Sequence, residues 1–218
     1  MLKIHPIGGL CNRLRVVFSF YKIAKQQNKT LHVIWIIGND CTGYFLDHFE
    51  PIDGIIFEYN NTYVNIEYHG CEPHPNYPPS YEPLKLLPHL SEKINNRINL
   101  LEHNYIALHI RRTDHSDLAK SQNAYTTDAD FFNFVNQYNH KNLYIATDNK
   151  DTYDMFVSRY PNLIKFAYHT QVTNQLNHFR QTTLEDSIID LYMCVYAAKF
   201  KGSGWSSYSE MIDVLRSV

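Results

Sequence analysis

The sequence predicts an α/β protein built from two Rossmann-like domains, each a parallel sheet wound with helices. Strand and helix patterns alternate in both halves of the 218 residues. The opening stretch already reads strand–turn–helix–strand, and the alternation restarts after a helical stretch that ends near Leu101. The expected domains are residues 1–102 and 103–218, joined within 95–104, and a single continuous doubly wound sheet is the alternative.

In chain order, "LKIHPI" is a short apolar strand and "GGLCN" a turn. "RLRVVFSFYKIAKQQN" carries Leu14, Val17, Phe18, Tyr21 and Ile23 at helical spacing, and "TLHVIWII" returns as a strand. Such a βαβ unit implies a parallel pair joined by a right-handed crossover. "GIIFEY" and "YVNIEY" are further strands, whereas "CEPHPNYPPSYEP" is too rich in proline to be anything but extended loop. The second half runs through the strand "YIALHIRR", the helix "TDADFFNFVNQYN", the strand "NLYIATD", the helix "KDTYDMFVSRY" and the strand "LIKFAY". The helix "TLEDSIIDLYMCVYAA" follows, with Thr182 and Glu185 spaced as a capping box. "KFKGSG" and "SSYSEMIDVLRSV" close the chain as a strand and a helix.

Composition narrows the function. At 44% hydrophobic and 19% charged residues the chain can build a core, and a formal charge of −2 gives no positive field for nucleic acid. Cys11, Cys41, Cys71 and Cys194 lie far apart, in no metal or redox spacing, and the histidines show no ligand spacing either. No cationic start leads into a long apolar stretch and no segment is long enough to span a bilayer, so the expectation is a cytoplasmic protein.

Four places carry candidate chemistry. Gly8-Gly9-Leu10-Cys11-Asn12-Arg13 lies between a strand and a helix, where glycine lets backbone approach an anion or simply supplies a positive φ. It lacks the dinucleotide fingerprint and the P-loop ending. "HIRRTDH" puts His109 and Arg111 on one side of a strand end and Arg112 on the other. One arginine can then reach a ligand while the other braces the fold on Asp114. "KGSGWSSYSE" turns from strand to helix at Ser206 and Ser207, which can cradle a phosphate, cap the helix, or do both. Asp190 sits among Ile188, Ile189, Leu191 and Tyr192, where a carboxylate needs partners. A guanine edge supplies two donors for it, and an exposed polar stripe with Asp186 is the other reading. Asp148 and Asp151 in "ATDNKD" read as a strand-end turn with a helix cap.

Together "GGLCNRLR", "HIRRTDH", "YIATD" and "DSIIDLYMCVYAAKFKGSGWSSYSEM" resemble the fucosyltransferase superfamily of α1,6-, Nod-factor and protein O-fucosyltransferases. The resemblance implies a GT-B fold with two Rossmann-like domains facing a cleft, the second holding GDP-fucose and the first on the acceptor side. It implies an inverting transfer to a hydroxyl of a glycan or other glycoconjugate acceptor, with no divalent metal and no cofactor beyond the donor. By that resemblance Arg111 meets the diphosphate, His109 and Asp190 lie near the nucleoside with Asp190 on guanine, and Ser206 and Ser207 flank phosphate. Gly9, Asn12 and Arg13 form the donor-side glycine turn. An arginine fork with helix-end N–H groups neutralises a departing diphosphate, which is the work a metal does elsewhere.

Two departures from the pattern bear on catalysis. His115 stands where α1,6-fucosyltransferases carry lysine, and their downstream glutamate has no counterpart. The candidate bases are therefore Asp117, His115 and Asp114, in that order. A nucleotide-sugar-binding protein without turnover, and a transferase of the same fold using another nucleotide sugar, are the alternatives.

Overall fold

The computed structural model describes residues 1–60, 64–138, 141–169 and 182–217, with the Asp114 side chain outside the description. The chain divides into two compact units, Met1–Leu90 and Ser91–Val218.

In the first unit, strands β1 (Leu2–Pro6), β2 (Leu31–Ile34), β3 (Ile55–Glu58) and β4 (Tyr68–Gly70) form one sheet in the order β3-β2-β1-β4, with every pair parallel. Helix α1 (Leu10–Gln26) joins β1 to β2. It begins at Leu10, inside the expected turn, because Gly9 already takes the N-cap position. The helix is buried on nearly every side, including Leu14, Val17 and Phe18. Its outer side is covered by the proline-rich loop. Having few donors of its own, that loop docks through carbonyls: Cys71, Tyr77 and Pro78 accept from Arg15, Ser19 and Lys22. The expected strand at 63–68 is displaced, since β4 starts only at Tyr68 and Tyr63 lies outside the described residues.

Helix α2 (Pro88–Leu100) spans the boundary between the units. In the second unit, β5 (Tyr105–Ile110), β6 (Asn142–Thr147) and β7 (Lys199–Gly202) form a parallel sheet in the order β6-β5-β7. Helices α3 (Ser116–Ser121), α4 (Asp128–Gln137), α5 (Lys150–Arg159), α6 (Leu184–Val195) and α7 (Ser207–Arg216) complete it. Central β5 is buried along its whole length, as its apolar run requires. Ile106, Leu108 and Ile110 pack with Phe131 and Val135 of α4 and Phe156 of α5.

Two expectations are corrected. "LIKFAY" forms no strand; Ile164 makes a single bridge with Leu143, after which the chain leaves the sheet edge. Tyr168 then packs on Tyr153 and His169 pairs with carboxylates of α6. The capping box of α6 is Thr183 with Asp186, one residue beyond the expected Thr182 and Glu185. Both registers satisfy the spacing rule, but the observed one buries Leu184, Ile188 and Leu191 on the helix's inner face.

None of the four cysteines forms a disulfide. Among the described residues, no helix is long and apolar enough to cross a membrane.

Candidate functional site

The carboxyl ends of β6, β5 and β7 bring Asp148, Arg111 and Ser203 side by side. Thr147 pairs with Ile110 in register, so the next residues, Asp148 and Arg111, leave adjacent strands together. Arg111 Nη1 donates to Asp148 Oδ2 at 2.5 Å, and Thr113 Oγ1 donates to the same oxygen at 2.5 Å. The backbone N–H of Arg112 donates to Asp148 Oδ1 at 2.9 Å. Asp148 therefore fixes the whole Arg111–Thr113 turn. The cap of α5 is its neighbour Asn149, which accepts from the Thr152 N–H at 2.7 Å. The sequence pattern reads Asp148 as a turn residue; two neighbouring parallel strands ending in opposite charge are the signal for its pairing with Arg111.

The two arginines diverge as expected. Arg112 turns to Asp128 at 2.5 Å and the Thr126 carbonyl at 3.1 Å, with its guanidinium over the rings of Tyr125 and Phe131. Its brace is thus Asp128, and the Asp114 side chain is outside the described residues.

His109 is buried one pleat below Arg111. Its ring stacks on Tyr208, with centroids 4.4 Å apart, and Nδ1 meets Ser209 Oγ at 2.8 Å. Burial first, then the Arg111 and His115 charges, hold its pKa down to about 3, so the imidazole is neutral. Ser203 Oγ accepts from the Arg111 N–H at 2.9 Å and ties the β7 end to the arginine turn. Ser206 caps α7 and is buried, while Ser207 is the first helical residue. Between them and Ser203, Trp205 carries a φ of 57° and is half exposed. A bulky residue rarely adopts that conformation. Gly204 is needed beside it for close packing, because a Cβ there would meet the Ala124 carbonyl oxygen at 2.1 Å.

Asp190 belongs to a second cluster. Its buried Oδ1 accepts from the Tyr144 hydroxyl at 2.7 Å and from His169 Nε2 at 2.8 Å. Arg97 in turn donates to the Tyr144 hydroxyl, and His169 Nδ1 lies 3.0 Å from Asp186 Oδ1. Tyr168 connects the clusters electrostatically. Burial, then the charges of Asp148 and Asp190, push its pKa up to about 12, and its buried hydroxyl has no partner among the described residues. Tyr144, Thr147, Tyr153, Tyr168 and His169 line a pocket beside β6.

The candidate bases separate. His115 Nε2 is 3.4 Å from the Gly204 carbonyl oxygen, beside the serine loop. Asp117, on α3, has a 98% exposed side chain that reaches Lys120 at 3.4 Å and no other charged group among the described residues. In the first unit, Gly8 has a φ of 82° and Gly9 caps α1 without a side-chain bond. Arg13 donates from that helix to the carbonyls of Gly8 at 2.7 Å and Ile36 at 2.6 Å. Asn12 Oδ1 is buried with no partner among the described residues. No three His, Cys, Asp or Glu side chains converge as metal ligands among the described residues.

No family model and no curated protein sequence matches the chain. Solved structures do. NodZ α1,6-fucosyltransferase soaked with GDP-fucose aligns at a TM-score of 0.64 and 15% identity, over 98% of this chain and 91% of that one. Fucosyltransferase NodZ from Bradyrhizobium aligns at 0.61 and 14% identity, over 98% and 92%. POFUT1 in complex with GDP aligns at 0.59 and 11% identity, over 99% and 95%. The chain therefore has the α/β fold of the GT-B fucosyltransferases, with its two parallel sheets of four and three strands.

Proposed function

We propose that the chain is an inverting glycosyltransferase that moves the sugar of a GDP-sugar, GDP-fucose foremost, onto a hydroxyl of a glycan or glycoconjugate. One observation carries the reading: Arg111 stands at the end of the central strand, pinned by Asp148 and flanked by the serine loop that opens α7. A guanidinium held rigidly at a strand end is matched to paired phosphate oxygens, and the N–H groups at the start of α7 add donors beside it. The donor is assigned to residues 103–218 and the acceptor to 1–102. The solved relatives of this fold that carry GDP or GDP-fucose support the choice of nucleotide.

In this reaction the acceptor oxygen bonds to the anomeric carbon as the bond from that carbon to the β-phosphate oxygen breaks. The electron pair leaves with GDP, and the acceptor proton passes to a base. Arg111 and the α7 N–H groups meet the charge that develops on the diphosphate, so in this reading no metal is required. His115 is placed first as the base, since it borders the serine loop, whereas Asp117 points into solvent. Asp190, in the second cluster, is assigned to the guanine edge.

Calorimetric titration with GDP, UDP, CDP and GDP-fucose tests the reading. Selective binding of GDP and GDP-fucose, weakened in Asp190→Ala, is expected. A preference for UDP or CDP would replace the donor, and binding of none would remove the proposal. Donor binding without transfer to any acceptor would make the chain a nucleotide-sugar-binding protein.

A further inference from the structure

Asp190 is held more tightly than a carboxylate needs for burial alone. Oδ1 already accepts two hydrogen bonds, from the Tyr144 hydroxyl and His169 Nε2. Oδ2 has no partner among the described residues. His169 in turn is gripped at both ring nitrogens, because Nδ1 meets Asp186 Oδ1 at 3.0 Å. Asp186 does not move freely either. Its other oxygen closes the capping box of α6, accepting from the Thr183 N–H at 3.2 Å and the Thr183 hydroxyl at 2.7 Å. The imidazole therefore links a helix-capping carboxylate to a buried one a turn further along α6.

We propose that His169 is a positioning residue for the nucleobase. Clamped between Asp186 and Asp190, it occupies Oδ1 and leaves Oδ2 as the one oxygen offered to the N–H edge of the base. This rests on the GDP reading above and adds to it. A carboxylate with two unoccupied oxygens can rotate to meet different donors, whereas one pinned through Oδ1 presents a fixed acceptor. The charge balance also changes. Asp186 and Asp190 contribute two negative charges, and an imidazolium between them leaves one.

The groups that face the clamp are Asp186 and Asp190 of α6, Tyr144 of β6 with Arg97 of α2 behind its hydroxyl, Cys194 near Asp190, and Tyr168 next in the chain. Burial lowers the His169 pKa, but the Asp190 charge and the hydrogen bonds to Asp186 and Asp190 outweigh it and raise the value to about 10. The imidazolium is then the resident form at neutral pH. Removing the Asp186 charge weakens that hold.

Two variants and wild type decide the matter, read by GDP titration between about pH 6 and pH 9 and by imidazole nitrogen NMR shifts. Wild-type His169 should remain protonated across that range. His169→Gln should weaken GDP binding roughly tenfold at every pH, since a charge-assisted hydrogen bond is lost behind the acceptor. Asp186→Asn should match wild type on the acid side and lose affinity as pH rises and His169 deprotonates. If the clamp were a purely structural staple, Asp186→Asn would instead shift affinity equally at all pH values, and that result would also overturn the proposal. An unchanged GDP affinity in His169→Gln, or a wild-type imidazole titrating near neutrality, would overturn this proposal alone. Wild-type protein with no affinity for GDP would overturn the nucleotide reading and this proposal with it.

Discussion

The arginine after β1 and the arginine after β5 are used in opposite ways. Arg13, on α1, is buried and joins the glycine turn to the segment after β2, donating to the carbonyls of Gly8 and Ile36 and lying over the Trp35 ring. Arg111 is held from the side by a carboxylate, Asp148, that leaves the neighbouring strand in step with it. Main-chain carbonyls offer no charge to exchange, so Arg13 locks a glycine turn. A carboxylate fixes a guanidinium's direction while leaving its other N–H groups to an incoming anion, which is why Arg111 is the arginine proposed for the diphosphate. Both arginines come from strand–turn segments of the same α/β pattern. What separates them is whether an opposite charge emerges beside the strand end.

Substitution should break that comparison most visibly. Arg111→Ala should stay folded and lose about 100-fold in GDP affinity, the scale of charge-assisted hydrogen bonds to a diphosphate. Arg13→Ala should instead cost about 3 kcal/mol of stability, because it strips two half-buried carbonyls of their donor and leaves a cavity where a buried side chain stood. Thermal melts paired with GDP titrations read both effects. Arg13→Ala that melts like wild type, or Arg111→Ala that unfolds, would show that the roles are exchanged.

The units also differ in how pH acts on them. His5 in the first unit meets His69 Nδ1 at 2.8 Å, and burial, His69 and Arg13 hold its pKa down to about 4. His109 in the second unit is held down to about 3. For both, the unfolded chain binds the extra proton below 6.5, so stability falls as pH drops through the window between. His169 works the other way. With a folded pKa of about 10 against 6.5 unfolded, its contribution is complete below 6.5 and disappears as pH rises toward 10. The acid limb thus draws on both units, while the His169 alkaline limb belongs to the second. Thermal melts across pH should show the gap between wild type and His169→Gln closing on the alkaline side, and a gap independent of pH would refute the assignment.

Much of this was legible in the sequence, and the failures have local causes. Strand and helix alternation gave both parallel sheets, and the strand end gave Arg111 and Arg112 on opposite sides, whereas the choice of Arg111 for the diphosphate came from the family resemblance. Asp148 escaped because a strand followed by Asp-Asn satisfies helix capping with either residue, and only geometry gives that task to Asn149. His169 escaped because its partners lie on a later helix, across residues that carry no pattern connecting them. Trp205 in a left-handed conformation inverts the usual expectation that, in a Gly-Trp pair, glycine takes the positive φ.

That last point yields the smallest test of how the units differ. Gly204 lies against the Ala124 backbone, so Gly204→Ala must displace one of two main-chain segments and should cost about 2 kcal/mol. Gly38 in the first unit has nothing within 4 Å of the position a Cβ would take, so Gly38→Ala should stay within about 0.5 kcal/mol of wild type. Chemical denaturation of both variants measures the contrast. If the loop after β7 is fixed as tightly as its packing implies, Gly204→Ala should also disturb Trp205 fluorescence, because the strained φ of Trp205 persists only while its surroundings enforce it. Equal costs at the two glycines would mean that the serine loop yields as easily as an open turn, and that its backbone is not a preformed cradle for phosphate.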